Sequence, residues 1–212
     1  MSIQFDHLVV AARTLDEGVR WCEATLGVTP GAGGKHPLMS THNRLFSISS
    51  DAFAMAFFEI IAIDPEAPPP GRARWFGLDE LDLSSGPRLV NFVARTAALA
   101  ASLTTLRTHG IDGGRVLAVS RDTPLGRLHW QIAVCDDGAV SCGGAMPTLI
   151  EWGPRHPAAS MPASGVDLRS LVLRGVPRAA IGISEVRFAD DAGPALEAQL
   201  DTPRGLITLT SH

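Results

Sequence analysis

Two glutamates stand alone in apolar runs: Glu59 in Phe57-Phe58-Glu59-Ile60-Ile61 and Glu151 in Thr148-Leu149-Ile150-Glu151-Trp152. A buried, ionised carboxylate in such a run is costly unless it is paired, hydrogen-bonded or bound to a metal. His7 is likewise the lone polar group beside Phe5 and Val9 in a short apolar run over 5–10. One imidazole and two carboxylates converging from different strands would make a divalent-metal site. Without a metal, two convergent carboxylates repel, and one is left with a raised pKa as a general acid or base. Each residue singly also fits a plainer role, a glutamate facing solvent or a histidine making one core hydrogen bond.

A second group lies over 33–43, where Gly33-Gly34 is followed by His36, His42 and Asn43. Paired glycines let the backbone approach a ligand closely, so this segment reads as a glycine-rich loop at the mouth of a cavity. There Gly34, His36, His42 and Asn43 would contact substrate, and His36 could move a proton. His129 and Trp130 are candidates for the same cavity, with strand parity open between them. Trp75 and Phe76, beside Arg72 and Arg74, fit a packing anchor between two halves, or a cover that binds an anionic group. His109 reads as a helix-end residue, and His156 and His212 carry no functional signal.

The elements that would position these residues repeat. Residues 5–10 form a strand-like run; Thr14-Leu15-Asp16-Glu17 is a capping-box pattern; Leu15, Val19, Cys22 and Leu26 share a helical face that stops at Gly27. The same grammar returns over 88–94, interrupted by Asn91, with Thr96 as cap and Leu99, Leu103 and Leu106 as the face before His109-Gly110. Thr14 to Thr96 is a shift of 82 residues and Gly27 to Gly110 one of 83. Strand-like runs follow each helix, at 44–49 and 56–63, then at 128–135 and 148–152, which puts Glu59 and Glu151 at corresponding positions. The chain reads as an internal duplication, with modules at 1–64 and 88–154, a proline-rich connector at 65–87 and an appended C-terminal element at 155–212.

These elements and motifs resemble the glyoxalase-like branch of the vicinal oxygen chelate superfamily. The resemblance is carried by Phe5-Asp6-His7-Leu8-Val9-Val10, Leu26-Gly27-Val28, Gly33-Gly34-Lys35-His36-Pro37, Thr41-His42-Asn43 and Phe58-Glu59-Ile60-Ile61, with Leu128-His129-Trp130 and Leu149-Ile150-Glu151-Trp152 in the second half. It implies an α+β fold, in which paired βαβββ modules form a curved, barrel-like mixed sheet around a cavity, with an appended C-terminal α/β element. It also implies a divalent metal chelating adjacent substrate oxygens. The superfamily's ligand positions fall on His7, Glu59, Asn91 and Glu151, and Asn91 departs from the usual His. That leaves His7, Glu59 and Glu151 as metal ligands, an oxygen-rich set suited to Mn, Mg, Zn or Ni, and Asn91 as a substrate contact. The activity implied is of isomerase or lyase type, with Glu59, Glu151 or His36 moving the proton; a non-catalytic sequestering protein of the same fold is the alternative.

Composition bounds the partners. The 212 residues include 18 Lys+Arg against 22 Asp+Glu, a net charge of −4 without the basic clusters that nucleic acid needs. No apolar run is long enough to cross a bilayer, and the start lacks a signal-peptide pattern, so the expectation is a soluble, cytoplasmic protein with a small-molecule substrate. A homodimer is compatible with this reading. The three cysteines are expected to be reduced, and the absence of Tyr leaves histidine and carboxylate chemistry to the fore.

Overall fold

The computed structural model describes residues 3–124 and 126–211; His212 lies outside them. The first half runs β1 (Gln4–Ala11), α1 (Leu15–Thr25), β2 (Gly31–His36), β3 (Thr41–Ser47) and β4 (Phe57–Ile63). The second runs β5 (Arg88–Arg95), α2 (Leu99–Thr108), β6 (Arg115–Arg121), β7 (Leu128–Val134) and β8 (Thr148–Trp152). Beyond them come β9 (Asp167–Arg174), the short helix α3 (Arg178–Ile181), β10 (Arg187–Ala189), β11 (Leu196–Thr202) and β12 (Gly205–Thr210). Among the described residues no helix is long and apolar enough to cross a membrane, and Cys22, Cys135 and Cys142 are free thiols.

Both βαβββ units join one eight-stranded sheet in the order β2-β3-β4-β1-β5-β8-β7-β6, while β10-β9-β11-β12 make a second, four-stranded sheet. β1 and β5 meet antiparallel at the centre, and each pairs in parallel with the last strand of its own unit, β4 or β8. The large sheet curls into a half-barrel. Its right-handed strand twist, summed over eight strands, brings the ends together: Arg121 at the end of β6 reaches the Asn43 side chain of β3 at 3.1 Å.

The two faces of the sheet bury different sets of side chains. Phe5, Leu8 and Val10 of β1 join Phe58, Phe92, the inner faces of α1 and α2, and Leu168, Leu171, Leu196 and Leu200 of the second sheet in one core. The alternate residues Val9 and Ala11 join Ile61, Val93, Trp130, Ile132 and Ile150 in another, completed by Trp75 and Phe76 of the connector. This is the period-two alternation of a strand buried on both sides. Trp75 and Phe76 form a 3₁₀ turn with Phe76 at φ +59°, and Arg74 is held by Asp79 at 2.5 Å. Of the two arginines expected beside the aromatic pair to meet an anion, Arg74 is thus already neutralised.

Helix α1 starts where its cap pattern predicts, the Thr14 hydroxyl accepting from the Glu17 N–H at 3.1 Å. The segment at 33–43 differs from the glycine-rich loop expected: it is the β2–β3 hairpin, with Lys35 opposite His42 and His36 opposite Thr41. Its glycines serve packing, because a Cβ on Gly33 would overlap the Asn43 backbone carbonyl, and one on Gly34 would lie 2.7 Å from Arg121 Nη1.

Candidate active site

β1 does not alternate regularly. Phe5 pairs with Ala94 and His7 with Val93, so β1 spends two residues where β5 spends one, and Asp6 is the extra residue of a bulge. Neighbouring side chains that would diverge in a regular strand therefore meet: Asp6 Oδ1 lies 2.6 Å from His7 Nδ1. His7 Nε2 faces Glu59 Oε2 of β4 at 3.4 Å, and the ring stacks on Phe57 at 4.2 Å between centroids. Both ring nitrogens thus face carboxylates, which favours the imidazolium. Burial alone would push its pKa down, but the hydrogen bond to Asp6 and the pull of Glu59 outweigh that and raise it to about 9.

Glu59 is held from both sides. Asn43 Nδ2 donates to its Oε1 at 2.6 Å, and Asn43 Oδ1 accepts from the Gly34 N–H at 2.8 Å and from Arg121. Burial works against the charged form, yet His7 and the Asn43 amide keep the carboxyl below its ordinary range. His36 is 4% exposed, with Nδ1 3.1 Å from the Thr41 hydroxyl and Nε2 3.4 Å from Asn43 Nδ2. Burial, reinforced by the charges of Arg121, His42 and His7, pushes its pKa down to about 4. The Asn43 amide donates to Nε2, so His36 is the neutral tautomer carrying its proton on Nδ1.

Behind His7 lies a network that sequence reasoning missed. Asp6 is fully buried; its Oδ2 accepts from His156 Nε2 at 2.8 Å and from Trp152 Nε1 at 3.1 Å, with Arg95 at 3.8 Å. Burial opposes its charge, but the bonds from His156 and His7 hold the carboxyl well below the usual carboxylate range. His156, read from sequence as without function, ties the chain after β8 to this hub. The available signal was an Asp directly beside the lone His of the first strand. Arg121 was missed because 115–121 alternates too weakly in hydrophobicity to be read as a strand.

His7, His36, Asn43, Glu59 and Arg121 line a cavity of about 40 Å³ with Trp75, Trp130, Ile132, Ile150, Trp152 and Pro157; Asp6 and His156 stand behind it. The polar and titratable side chains of the lining come from the first unit and, with Arg121, from the C-terminal end of β6; the rest of the second unit supplies an apolar wall. Trp130 faces the cavity, while His129 is exposed on the alternate side of β7. His42 lies on the opposite side of β3 from Asn43, 4.0 Å from Asp64, and does not reach the cavity.

The expected three-ligand set is not assembled. Glu151 points away from Glu59, its Oε2 accepting from the Leu99 N–H at 2.8 Å to cap α2, because Ala98 at the cap position offers no side-chain acceptor. Strand parity is the cause: Ile150, one residue earlier, faces the cavity. Asn91 is fully buried, its amide donating to the carbonyls of Gly144 and Met146 and its oxygen accepting from the Thr148 hydroxyl, so it is not free to contact a substrate. Among the described residues no three His, Cys, Asp or Glu side chains are grouped to hold a metal ion. The donors present are two imidazoles and one carboxylate, and each is already engaged: His7 by Asp6 and Glu59, His36 by Thr41 and Asn43, and Glu59 by Asn43, so they do not fit a divalent cation. Replacing Glu151 with Ala is therefore expected to cost about 1 kcal/mol through loss of the cap, lowering Tm by roughly 2–4 °C in thermal denaturation while leaving ligand affinity unchanged.

A half-barrel of two βαβββ units around a cavity defines the class. The chain belongs to the glyoxalase-like domain family, within the vicinal oxygen chelate superfamily, and the family's sequence model matches residues 5–201. Among solved structures, a hypothetical protein from Staphylococcus aureus aligns over 100% of this chain and 87% of its own at 14% identity, with a TM-score of 0.59, which supports the fold. Methylmalonyl-CoA epimerase from Mycobacterium tuberculosis aligns over 74% of this chain and 91% of its own at 19% identity, with a TM-score of 0.43. No curated protein matches the sequence.

Proposed function

We propose that this chain is a glyoxalase-type enzyme, an isomerase or lyase, that moves a proton at a carbon beside a carbonyl group of a small molecule. The observation that carries the reading is the buried Glu59 carboxylate beside the His7 imidazolium in an otherwise mostly apolar cavity. Glu59 is the base. It is ionised at neutral pH, and Oε2 has only the 3.4 Å contact to His7, longer than the roughly 2.7–2.9 Å of a full charge-assisted hydrogen bond. The C–H proton passes to Glu59 as the electron pair moves onto the carbonyl oxygen. The cation at His7 stabilises that developing negative charge, and the apolar wall strengthens the effect by excluding water. Return of the proton to the neighbouring atom completes an isomerisation, and loss of a leaving group completes an elimination.

The test is proton NMR of small 2-oxo and 2-hydroxy carbonyl compounds in D₂O. Catalysed loss of the C–H signal next to the carbonyl supports the reading. Binding without exchange in any of them overturns it in favour of sequestration in the same cavity.

A further inference from the structure

Two donors in the cavity have no partner. Trp75 is 3% exposed, and its indole N–H is buried without a hydrogen bond; the same holds for the Nε–H of Arg121. Both residues line the cavity that holds Glu59. A buried donor left unpaired costs about 1–3 kcal/mol, so two such donors on residues that line one space point to an acceptor that the chain itself does not supply.

The charges point the same way. His7 is matched by Asp6 and Glu59, and Arg95 leans on Asp6. Arg121, by contrast, makes no ion pair within 4.0 Å among the described residues: Glu59 acts on it only from farther away, and its one hydrogen bond, from Nη1, goes to the neutral Asn43. Nε–H belongs to the side-on fork that a guanidinium offers to a planar carboxylate. The position is also built, since Gly34 has no Cβ where one would come within 2.7 Å of Nη1. Size narrows the choice: about 40 Å³ is roughly three times the 10–15 Å³ that one water needs by the same measure. That is space for a group of a few heavy atoms.

We infer that the cavity is a recognition site for a carboxylate, taken up by Arg121 Nε–H and the Trp75 indole N–H, so that the substrate is a small carboxylic acid or the carboxylate end of a larger one. This deepens the proton-transfer reading and rests on it for the reacting carbon, which the bound carboxylate would hold near Glu59.

Calorimetric titration of the full chain at pH 7 tests it, with formate, acetate and pyruvate against the neutral formamide, acetamide and pyruvamide. At least one carboxylate should bind, with its amide at least tenfold weaker. Arg121→Gln should weaken carboxylate binding at least tenfold, Arg121→Lys less, and Trp75→Phe several-fold. Equal affinity for a carboxylate and its amide, no heat with any carboxylate, or unchanged affinity in a folded Arg121→Gln variant would overturn the assignment. If Arg121→Gln does not fold, the comparison of acid with amide on the unaltered protein decides. Binding and chemistry separate through Glu59→Gln, which should bind the carboxylates at least as tightly as the parent. Carboxylate binding without proton exchange would sink the catalytic reading alone, and exchange confined to neutral compounds would sink the anion site alone.

Discussion

Glu59→Gln is expected to lower the rate of deuterium exchange by about 10²–10⁴-fold, the usual contribution of a positioned general base, with the fold intact. The substitution keeps the size of the side chain and leaves an oxygen to accept from Asn43 Nδ2, so the link from β4 to β3 survives. What it removes is the group that takes the proton and one of the two charges holding His7 cationic. A neutral amide facing His7 Nε2 leaves Asp6 as the remaining carboxylate partner of the imidazole. Exchange within tenfold of the parent rate would show that Glu59 is not the base.

Asp6→Asn should have the largest effect on stability, about 3–5 kcal/mol, because removing one partner leaves buried groups uncompensated. The carboxylate accepts from His7, His156 and Trp152 together. An amide in its place turns one acceptor into a donor that faces another donor. The change also alters how stability depends on pH. In the parent, His7 rises from 6.5 when unfolded to about 9 when folded, so its stabilisation is complete below pH 6.5 and is lost as pH climbs through 9. His36 falls from 6.5 to about 4, so the unfolded chain binds the extra proton and stability is lost as pH drops from 6.5 through 4. The two limbs meet in a maximum near pH 6.5, each on the order of 3 kcal/mol at 1.36 kcal/mol per pH unit. Urea titrations across pH 4–9 should show this dome, and Asp6→Asn should both lower it and flatten its alkaline side. A variant with parent stability and an unchanged alkaline limb would remove Asp6 from the role argued above.

Much of this architecture is legible in the residues themselves, because it rests on local signals. The Thr14 cap, the 82-residue echo of the strand and helix, and lone polar groups in apolar runs all reflect short-range physics that a linear reading can follow. His7 and Glu59 stand out for that reason, and the structure brings them together. Facing is harder to read. Glu151 occupies the repeat position of Glu59, but a shift of one residue turns a strand side chain to the other side of the sheet, and there it found a helix in need of a cap. His129 and Trp130 divide by the same parity. Long-range meetings were hidden for another reason: Asp6 with His156 and Asn43 with Arg121 depend on a bulge and on sheet closure, neither of which leaves a periodic trace.

The unequal halves of the half-barrel carry a consequence for how this molecule can change. The cavity's histidines and carboxylate, His7, His36 and Glu59, sit on β1, β2 and β4, whereas Trp130, Ile132 and Ile150 of the second unit give it apolar surface. On the proposed reaction the second unit is free of proton transfer, so its apolar wall, Arg121 and Trp152 apart, can be recut by apolar substitution without disturbing the Asp6–His7–Glu59 chain. Selection, or an engineer, could retune which molecules enter by working on one repeat, and inherit the reaction from the other.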